Sequence, residues 1–104
     1  MAYKIKFTDK FLDDINSICG YIETYLKSNC ASIMLRKKVI NLLEDLAKNP
    51  KMYSKIEKTD KLRRTFRRIV VDNYVLLYTI DEGNEIIYIS HMYFSGRNYL
   101  EGLI

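Results

Sequence analysis

The sequence has little of what marks disorder, a disulfide framework or a membrane span. Its 104 residues include one proline, four glycines, two cysteines and no tryptophan. The scarcity of proline and glycine argues against a disordered tail or linker. The longest apolar runs, residues 69–71 and 74–80, are far shorter than the roughly 20 residues that cross a bilayer. We therefore expect one soluble domain, spanning residues 1–104, with no membrane partner.

The two cysteines and the first residues give no sign of export or metal binding. Cys19 and Cys30 lack the close spacing of metal-ligand pairs, and a reducing cytosol argues against a disulfide between them. Residues 1–6 contain no long apolar region of the kind found in a secretory signal. We expect idle or buried thiols, no metal, no cofactor and a cytoplasmic location.

Positive charge is concentrated in one stretch of the chain. The net charge is +4, yet residues 51–68 hold eight lysines and arginines against two acidic residues, a local charge of +6 that leaves −2 elsewhere. Such a segment is typical of a surface that binds phosphate or an acidic partner. The alternative is a solvated loop whose charges only keep the protein soluble.

The first part of the chain has the pattern of a short strand followed by a helix. Residues 3–7 alternate apolar and polar side chains, which is the period of a strand with one buried face. Thr8 or Asp9 can cap a helix, and Asp13 and Asp14 lie near its positive end. An apolar stripe with helical spacing follows at Phe11, Ile15, Ile18, Cys19, Ile22 and Leu26.

A second amphipathic helix is predicted after an interruption at Ser28 and Asn29. It should stop at Asn49, because Pro50 disfavours helical geometry in the residue before it. Since the link between the helices is short, we expect an antiparallel hairpin that covers one face of a sheet. Residues 51–64 show no period and are interpreted as a loop. The second stripe consists of Leu35, Val39, Leu42, Leu43 and Leu46.

Three strands are predicted in the rest of the chain, at residues 66–71, 74–80 and 85–94, which are rich in β-branched and aromatic side chains. The separators Asp72-Asn73 and residues 81–84 have hairpin chemistry, in which Asn and Gly tolerate a positive φ. The predicted fold class is α+β. It combines a short N-terminal strand, an antiparallel helix hairpin packed on a mainly antiparallel four-stranded sheet, and a short C-terminal segment.

Two segments in this order resemble the RelE/ParE superfamily of toxins. Residues 66–78, FRRIVVDNYVLLY, look like the family's arginine-bearing strand, tight turn and Tyr-x-hydrophobic-hydrophobic-Tyr strand. Residues 91–99, HMYFSGRNY, look like its last strand and terminal glycine-arginine. Together with the preceding strand and helix hairpin, the resemblance extends over nearly the whole chain. It implies a RelE-like fold and a toxin that is neutralised by a cognate antitoxin protein.

The resemblance leaves the activity open, because the superfamily performs unlike functions on one fold. The leading hypothesis is a metal-independent, ribosome-dependent mRNA endonuclease that blocks translation. The alternative is a ParE-like inhibitor of DNA gyrase, which is not an enzyme. A third interpretation is a basic nucleic-acid-binding module outside toxin-antitoxin systems.

The candidate catalytic residues are Arg68, Arg97, His91 and Tyr93. Cleaving RNA without a metal needs a base for the ribose 2′-hydroxyl, cations for the phosphate and an acid for the departing oxygen. By resemblance, Arg68 and Arg97 match the family's phosphate-binding arginines. His91 is the only histidine, and its pKa lies near neutrality, so it is a candidate acid or base.

Four further basic residues are candidates for binding nucleic acid: Lys58, Lys61, Arg64 and Arg67. Solvated surface charge is the alternative reading of each. On the toxin reading, the helix hairpin and the apolar residues Tyr99, Leu100, Leu103 and Ile104 are candidate contacts for the antitoxin.

Alternation along the last predicted strand assigns its side chains to two faces. It places His91 and Tyr93 on one face, and Tyr88, Ser90 and Met92 on the other. Tyr93 is therefore expected to stack on a base or to share proton transfer with His91.

Overall fold

Two helices and four strands make up the part of the chain that the computed structural model describes, which is residues 2–53, 55 and 65–95. The strands lie in the order β1-β4-β3-β2, with β1 parallel to β4 and the other pairs antiparallel. The predicted α+β fold, with its helix hairpin and mainly antiparallel sheet, is confirmed. In chain order the elements are β1 (Lys4–Phe7), α1 (Asp9–Thr24), α2 (Asn29–Lys48), β2 (Arg67–Val71), β3 (Tyr74–Asp81) and β4 (Ile86–Phe94).

Side-chain caps determine where the two helices begin. The Thr8 hydroxyl accepts a hydrogen bond from the Phe11 amide at 3.1 Å, and the Ser28 hydroxyl accepts one from the Ala31 amide at 3.1 Å. Each bond satisfies an amide that the first turn of a helix leaves without a helical partner. The second helix ends just before Asn49, as the proline that follows predicts.

The main core lies between the helices and one face of the sheet, which we call the proximal face. Both predicted apolar stripes pack there, with one exception. Leu26 is 60% exposed, because α1 has already ended and the chain reverses direction through Lys27, whose φ is 50°. The prediction that Leu26 belongs to the buried stripe is therefore wrong.

The other face of the sheet, which we call the distal face, carries a smaller apolar cluster. Val75, Leu77 and Tyr93 are buried there, and Phe66 packs against them. Strands with apolar side chains on both faces give nearly continuous apolar runs, which is the pattern that residues 74–80 show.

Both predicted hairpins are present, but different residues carry the strained backbone. Positive φ occurs at Asp72 (53°) and Glu85 (55°), not at Asn73 or Gly83 as the turn chemistry predicted. Aspartate tolerates this region because its side chain is short and polar. The Asp72 carboxylate is also held by Lys38 Nζ of α2 at 2.9 Å, which fixes the β2–β3 turn against the helix layer.

The predicted loop after α2 is described only in part. Residues 51–53 form turns and Lys55 makes an isolated β-bridge with Arg67, while residues 54 and 56–64 lie outside the described residues. The C-terminal segment lies outside them as well. Neither of the two helices in the described ranges is long and apolar enough to cross a membrane.

Candidate functional site

A β-bulge in β4 brings neighbouring side chains together on the distal face. Ile89 and His91 each pair with a residue of β3, whereas Ser90 between them has no partner on that strand. Such an extra residue interrupts the regular alternation of side chains. As a result Ser90 and His91 line the same cleft, together with Tyr88.

The prediction from strict alternation is therefore wrong for Tyr88 and Ser90, which it placed on the face opposite His91. Alternation holds only along an uninterrupted ladder, and the bulge shifts its phase. Beyond the bulge the prediction is confirmed: Met92 belongs to the proximal core, and Tyr93 lies in the distal cluster.

The cleft has a volume of about 510 Å³ and lies where the start of α1 meets β3 and β4. The Thr8 hydroxyl donates to the Ser90 carbonyl oxygen at 2.8 Å, and the Thr8 amide donates to the Ile89 carbonyl oxygen at 3.1 Å. These bonds fix the first turn of α1 against β4, beyond the point where β1 ends. The residues that line the cleft are Thr8, Lys10, Phe66, Thr79, Tyr88, Ser90 and His91.

The hydrogen bonds of Ser90 favour one tautomer of the His91 imidazole. Ser90 Oγ donates to the Leu77 carbonyl oxygen at 3.0 Å and lies 2.9 Å from His91 Nδ1. Because a hydroxyl has one hydrogen and Ser90 Oγ gives it to the Leu77 carbonyl, this network assigns Nδ1 as the donor of the bond between the two side chains. In a neutral imidazole the lone pair then resides on Nε2. The arrangement makes Nε2 the basic atom of His91.

Burial lowers the pKa of His91 below its usual value of 6.5. The nearby Lys10 ammonium lowers this pKa further, while the Asp14 carboxylate opposes the shift. A lowered pKa keeps the ring neutral at pH 7, where it can accept a proton. This is the protonation state that a general base requires.

Aromatic rings hold the imidazole of His91 in place. The Tyr93 ring stacks on it with centroids 5.7 Å apart and planes 20° apart, and the Phe66 ring meets it edge-on at 6.0 Å. Tyr93 is only 5% exposed. The structure therefore brings Tyr93 to His91, as predicted, but with most of its surface in the protein interior.

Arg68 lies in the same row of the sheet as His91. Arg68 pairs with Leu77 across β2 and β3, and Leu77 pairs with His91 across β3 and β4. Paired residues share a face, and neighbouring strands are separated by about 4.8 Å, so the backbones of Arg68 and His91 are about 10 Å apart. This places an exposed arginine and a neutral histidine on one surface.

Arg67 lies on the proximal face, away from the cleft. Its guanidinium Nη1 donates to the Tyr53 carbonyl oxygen at 2.7 Å, and its partner on β3 is Tyr78. The Tyr78 hydroxyl donates to the Pro50 carbonyl oxygen at 2.8 Å. These two bonds attach the segment after α2 to the sheet, so the structure does not bring Arg67 to the predicted site.

The remaining predicted site residues, Lys58, Lys61, Arg64 and Arg97, lie outside the described residues, as do Tyr99, Leu100, Leu103 and Ile104. Over residues 2–53, 55 and 65–95, no group of three or more His, Cys, Asp or Glu side chains is arranged to hold a metal ion.

Two residues of α1 that were not predicted as site residues, Lys10 and Asp14, lie beside the His91 cleft. Lys10 Nζ sits 5.6 Å from the centre of the Tyr93 ring and forms an ion pair with Asp14, whose Oδ2 accepts a hydrogen bond from the Met92 amide at 3.0 Å. One signal was available in the sequence. The first strand is much shorter than the last, so the segment that follows β1 has to cover the far half of β4.

The sequence matches the family model for the ParE toxin of the type II toxin-antitoxin system, parDE, over residues 5–98. The chain belongs to the ParE toxin family. The predicted membership of the RelE/ParE superfamily is confirmed, and the chain is a toxin of the type II toxin-antitoxin class. The interpretation as a module outside such systems is therefore wrong. No match to this toxin was found among curated proteins.

Solved structures similar to this ParE-family toxin have the RelE fold. The archaeal RelE-RelB complex from Pyrococcus horikoshii matches with a TM-score of 0.63 at 18% identity, covering 93% of this chain and 99% of that one. The RelBE2 complex from Mycobacterium tuberculosis gives 0.62 at 20% identity, covering 90% and 99%. A free mutant of the RelE toxin from E. coli gives 0.63 at 15% identity, covering 99% and 94%. At these identities the likeness shows the fold alone.

Proposed function

We propose that this toxin is a metal-independent endonuclease that cleaves mRNA on the ribosome in the cytoplasm and so blocks translation. The observation that supports this most strongly is His91. Its imidazole is neutral, has Nε2 as the basic atom, borders a cleft and shares a row with Arg68. An inhibitor that acts only by contact has no need of a base in a fixed tautomer.

In the proposed reaction His91 Nε2 takes the proton from a ribose 2′-hydroxyl. The 2′-oxygen attacks the adjacent phosphorus, the bond to the 5′-oxygen breaks, and that oxygen takes a proton from water as it leaves. The products carry a 2′,3′-cyclic phosphate and a 5′-hydroxyl. Arg68 and Arg97 stabilise the charge of the pentacoordinate phosphate.

The other candidates receive supporting parts in this proposal. Tyr93 is buried against His91, so we assign it to holding the imidazole rather than to stacking on a base. Lys58, Lys61 and Arg64 bind the RNA backbone. Arg67 is assigned to the fold, because its guanidinium is bonded to a main-chain carbonyl on the proximal face.

The test compares two reactions with purified toxin: translation of a labelled mRNA on ribosomes, and supercoiling of plasmid DNA by gyrase. We expect mRNA cleavage and arrested translation with unaffected supercoiling. Replacing the base in His91→Gln should lower the cleavage rate about a hundredfold or more, whereas Arg36→Met on α2 serves as the control. Intact mRNA together with stalled gyrase would refute the proposal.

Inhibition of DNA gyrase without catalysis is the second candidate function. The observation that favours it is the description of the matching family, which names the ParE toxin. On this alternative the distal face contacts a protein, and His91→Gln retains full toxicity. Growth arrest by that variant therefore separates the two candidates in cells.

We further propose a cognate antitoxin protein as the partner of this toxin. The similar structures from P. horikoshii and M. tuberculosis are toxin-antitoxin complexes. Co-expression with a small acidic protein encoded beside the gene should restore growth, and its failure to bind the toxin would contradict the proposal. The helix hairpin offers exposed apolar side chains for such a partner, namely Tyr21, Tyr25, Leu26, Ile33, Met34 and Ile40.

A further inference from the structure

We propose that Lys10, on α1, is a phosphate-binding residue of the cleft and contacts the RNA chain on the side of His91 opposite Arg68. The inference rests on the proposed RNA-cleaving function. It adds a cation that lies far along the chain from the basic segment of residues 51–68.

Lys10 is placed at the cleft by the fold. It lines the cleft together with His91, and its ammonium lies 5.6 Å above the centre of the Tyr93 ring. The imidazole of His91 stacks on the same Tyr93 ring. Lys10 therefore sits one aromatic ring away from the proposed base.

Asp14 holds the Lys10 side chain in this position. The two form an ion pair in which the Lys10 side chain is 53% exposed and that of Asp14 only 10%. Asp14 is itself fixed, because its other oxygen accepts the bond from the Met92 amide. An ammonium can donate three hydrogen bonds, so the ion pair with Asp14 does not by itself prevent the half-exposed Lys10 side chain from binding a phosphate.

The sheet order gives this cation a defined place relative to the other site residues. The start of α1 lies beside the half of β4 that extends beyond β1, and Arg68 lies on β2 at the opposite edge of the sheet. A strand of RNA that crosses the face from β2 towards α1 meets Arg68, then His91, then Lys10. The charged groups of α1 that shift the pKa of His91 are Asp14, which raises it, and Lys10, which lowers it.

Equilibrium binding of a single-stranded 2′-fluoro oligonucleotide, which lacks the 2′-hydroxyl nucleophile, tests the inference. Because each phosphate contact on a single strand contributes about 0.7 to the salt slope, Lys10→Met should lower that slope by about 0.7 and weaken binding about eightfold in 50 mM salt and about threefold in 200 mM salt. Lys10→Arg keeps the charge and should keep the slope.

Lys38→Met is the matched control, because Lys38 is also about half-exposed and ion-paired, to Asp72, but lies on α2 away from the cleft. The inference would be overturned if Lys10→Met and Lys38→Met lost oligonucleotide affinity equally, or if neither lost any. It would also be overturned if the wild-type toxin bound no oligonucleotide. If only Lys10→Met loses oligonucleotide affinity and the wild-type toxin leaves mRNA intact, the inference about Lys10 is supported and the cleavage proposal is refuted. Thermal unfolding of each variant excludes a folding defect, and Lys10→Gln, which also removes the charge, replaces Lys10→Met if that variant does not fold.

Discussion

Replacing Ser90 with alanine tests the hydrogen-bond chain behind His91. The variant removes the hydroxyl that donates to the Leu77 carbonyl and accepts from His91 Nδ1. Leu77 has no exposed surface, and the loss of one hydrogen bond to a buried carbonyl costs about 0.5 to 1.5 kcal/mol. The bond from Nδ1 is worth about 1 kcal/mol, so its loss should shift the ratio of the two imidazole tautomers about fivefold towards the Nε2–H form.

The tautomer can be read directly, because the chain contains one histidine. Nitrogen NMR of protein labelled with ¹⁵N-histidine gives a single pair of ring signals, whose chemical shifts identify the protonated nitrogen. We expect Nδ1–H in the wild type and in Ser90→Thr, which keeps the hydroxyl, and a larger share of Nε2–H in Ser90→Ala. Ser17→Ala, at an exposed site on α1, is the control.

A Ser90→Ala variant with the wild-type tautomer and the wild-type free energy of unfolding would contradict a hydrogen-bond chain from Leu77 through Ser90 to His91. Cleavage assays add a second readout. With its lone pair moved to Nδ1, the ring can no longer act through Nε2, and the rate should fall in proportion to the lost tautomer.

Three further variants test other contacts through urea unfolding. Burial lowers the pKa of His91 below the 6.5 of the unfolded chain, so the unfolded state gains the proton first as the pH drops. The free energy of unfolding of the wild type should therefore fall as the pH drops from 6.5 through the folded pKa. His91→Gln should remove this fall, and the same pH dependence of stability in the variant would contradict the assignment to His91. Burial raises the pKa of Tyr78 from 10.0 to about 12, so the free energy of unfolding of the wild type should fall as the pH rises from 10 to 12. Tyr78→Phe should not show this fall. An equal fall in both proteins would mean that Tyr78 does not cause it. Arg67→Met should cost about 1.5 to 3 kcal/mol through the bond to the Tyr53 carbonyl, against less than about 0.5 kcal/mol for Lys37→Met on the exposed side of α2.

The elements of this fold are predictable because their signals are local. Thr8 and Ser28 are capping residues next to amphipathic stripes, and the proline at position 50 ends the second helix within its own neighbourhood. Leu26 shows the limit of such reasoning. Its spacing fits the stripe, but the position where a helix ends and the chain reverses depends on the packing of the whole hairpin.

The candidate site depends on non-local features, so the sequence predicted only part of it. The sequence singles out His91 by its chemistry. Arg68, which lies in the same row of the sheet, was identified through the family resemblance. Nothing next to Ser90 marks it as the extra residue of a bulge, because the bulge follows from the register between two whole strands. Lys10 and Asp14 reach the site only because α1 begins at the edge of β4.

The pairing of the first strand with the last has a consequence for the synthesis of this toxin. The register joins Lys4 to Ile86, and the cleft combines Thr8 and Lys10 with His91. A nascent chain that has not completed β4 has no partner for β1 and no assembled cleft. On the proposed mechanism, harm to the cell begins only after β4 has left the exit tunnel, and a product of premature termination before β4 is inert.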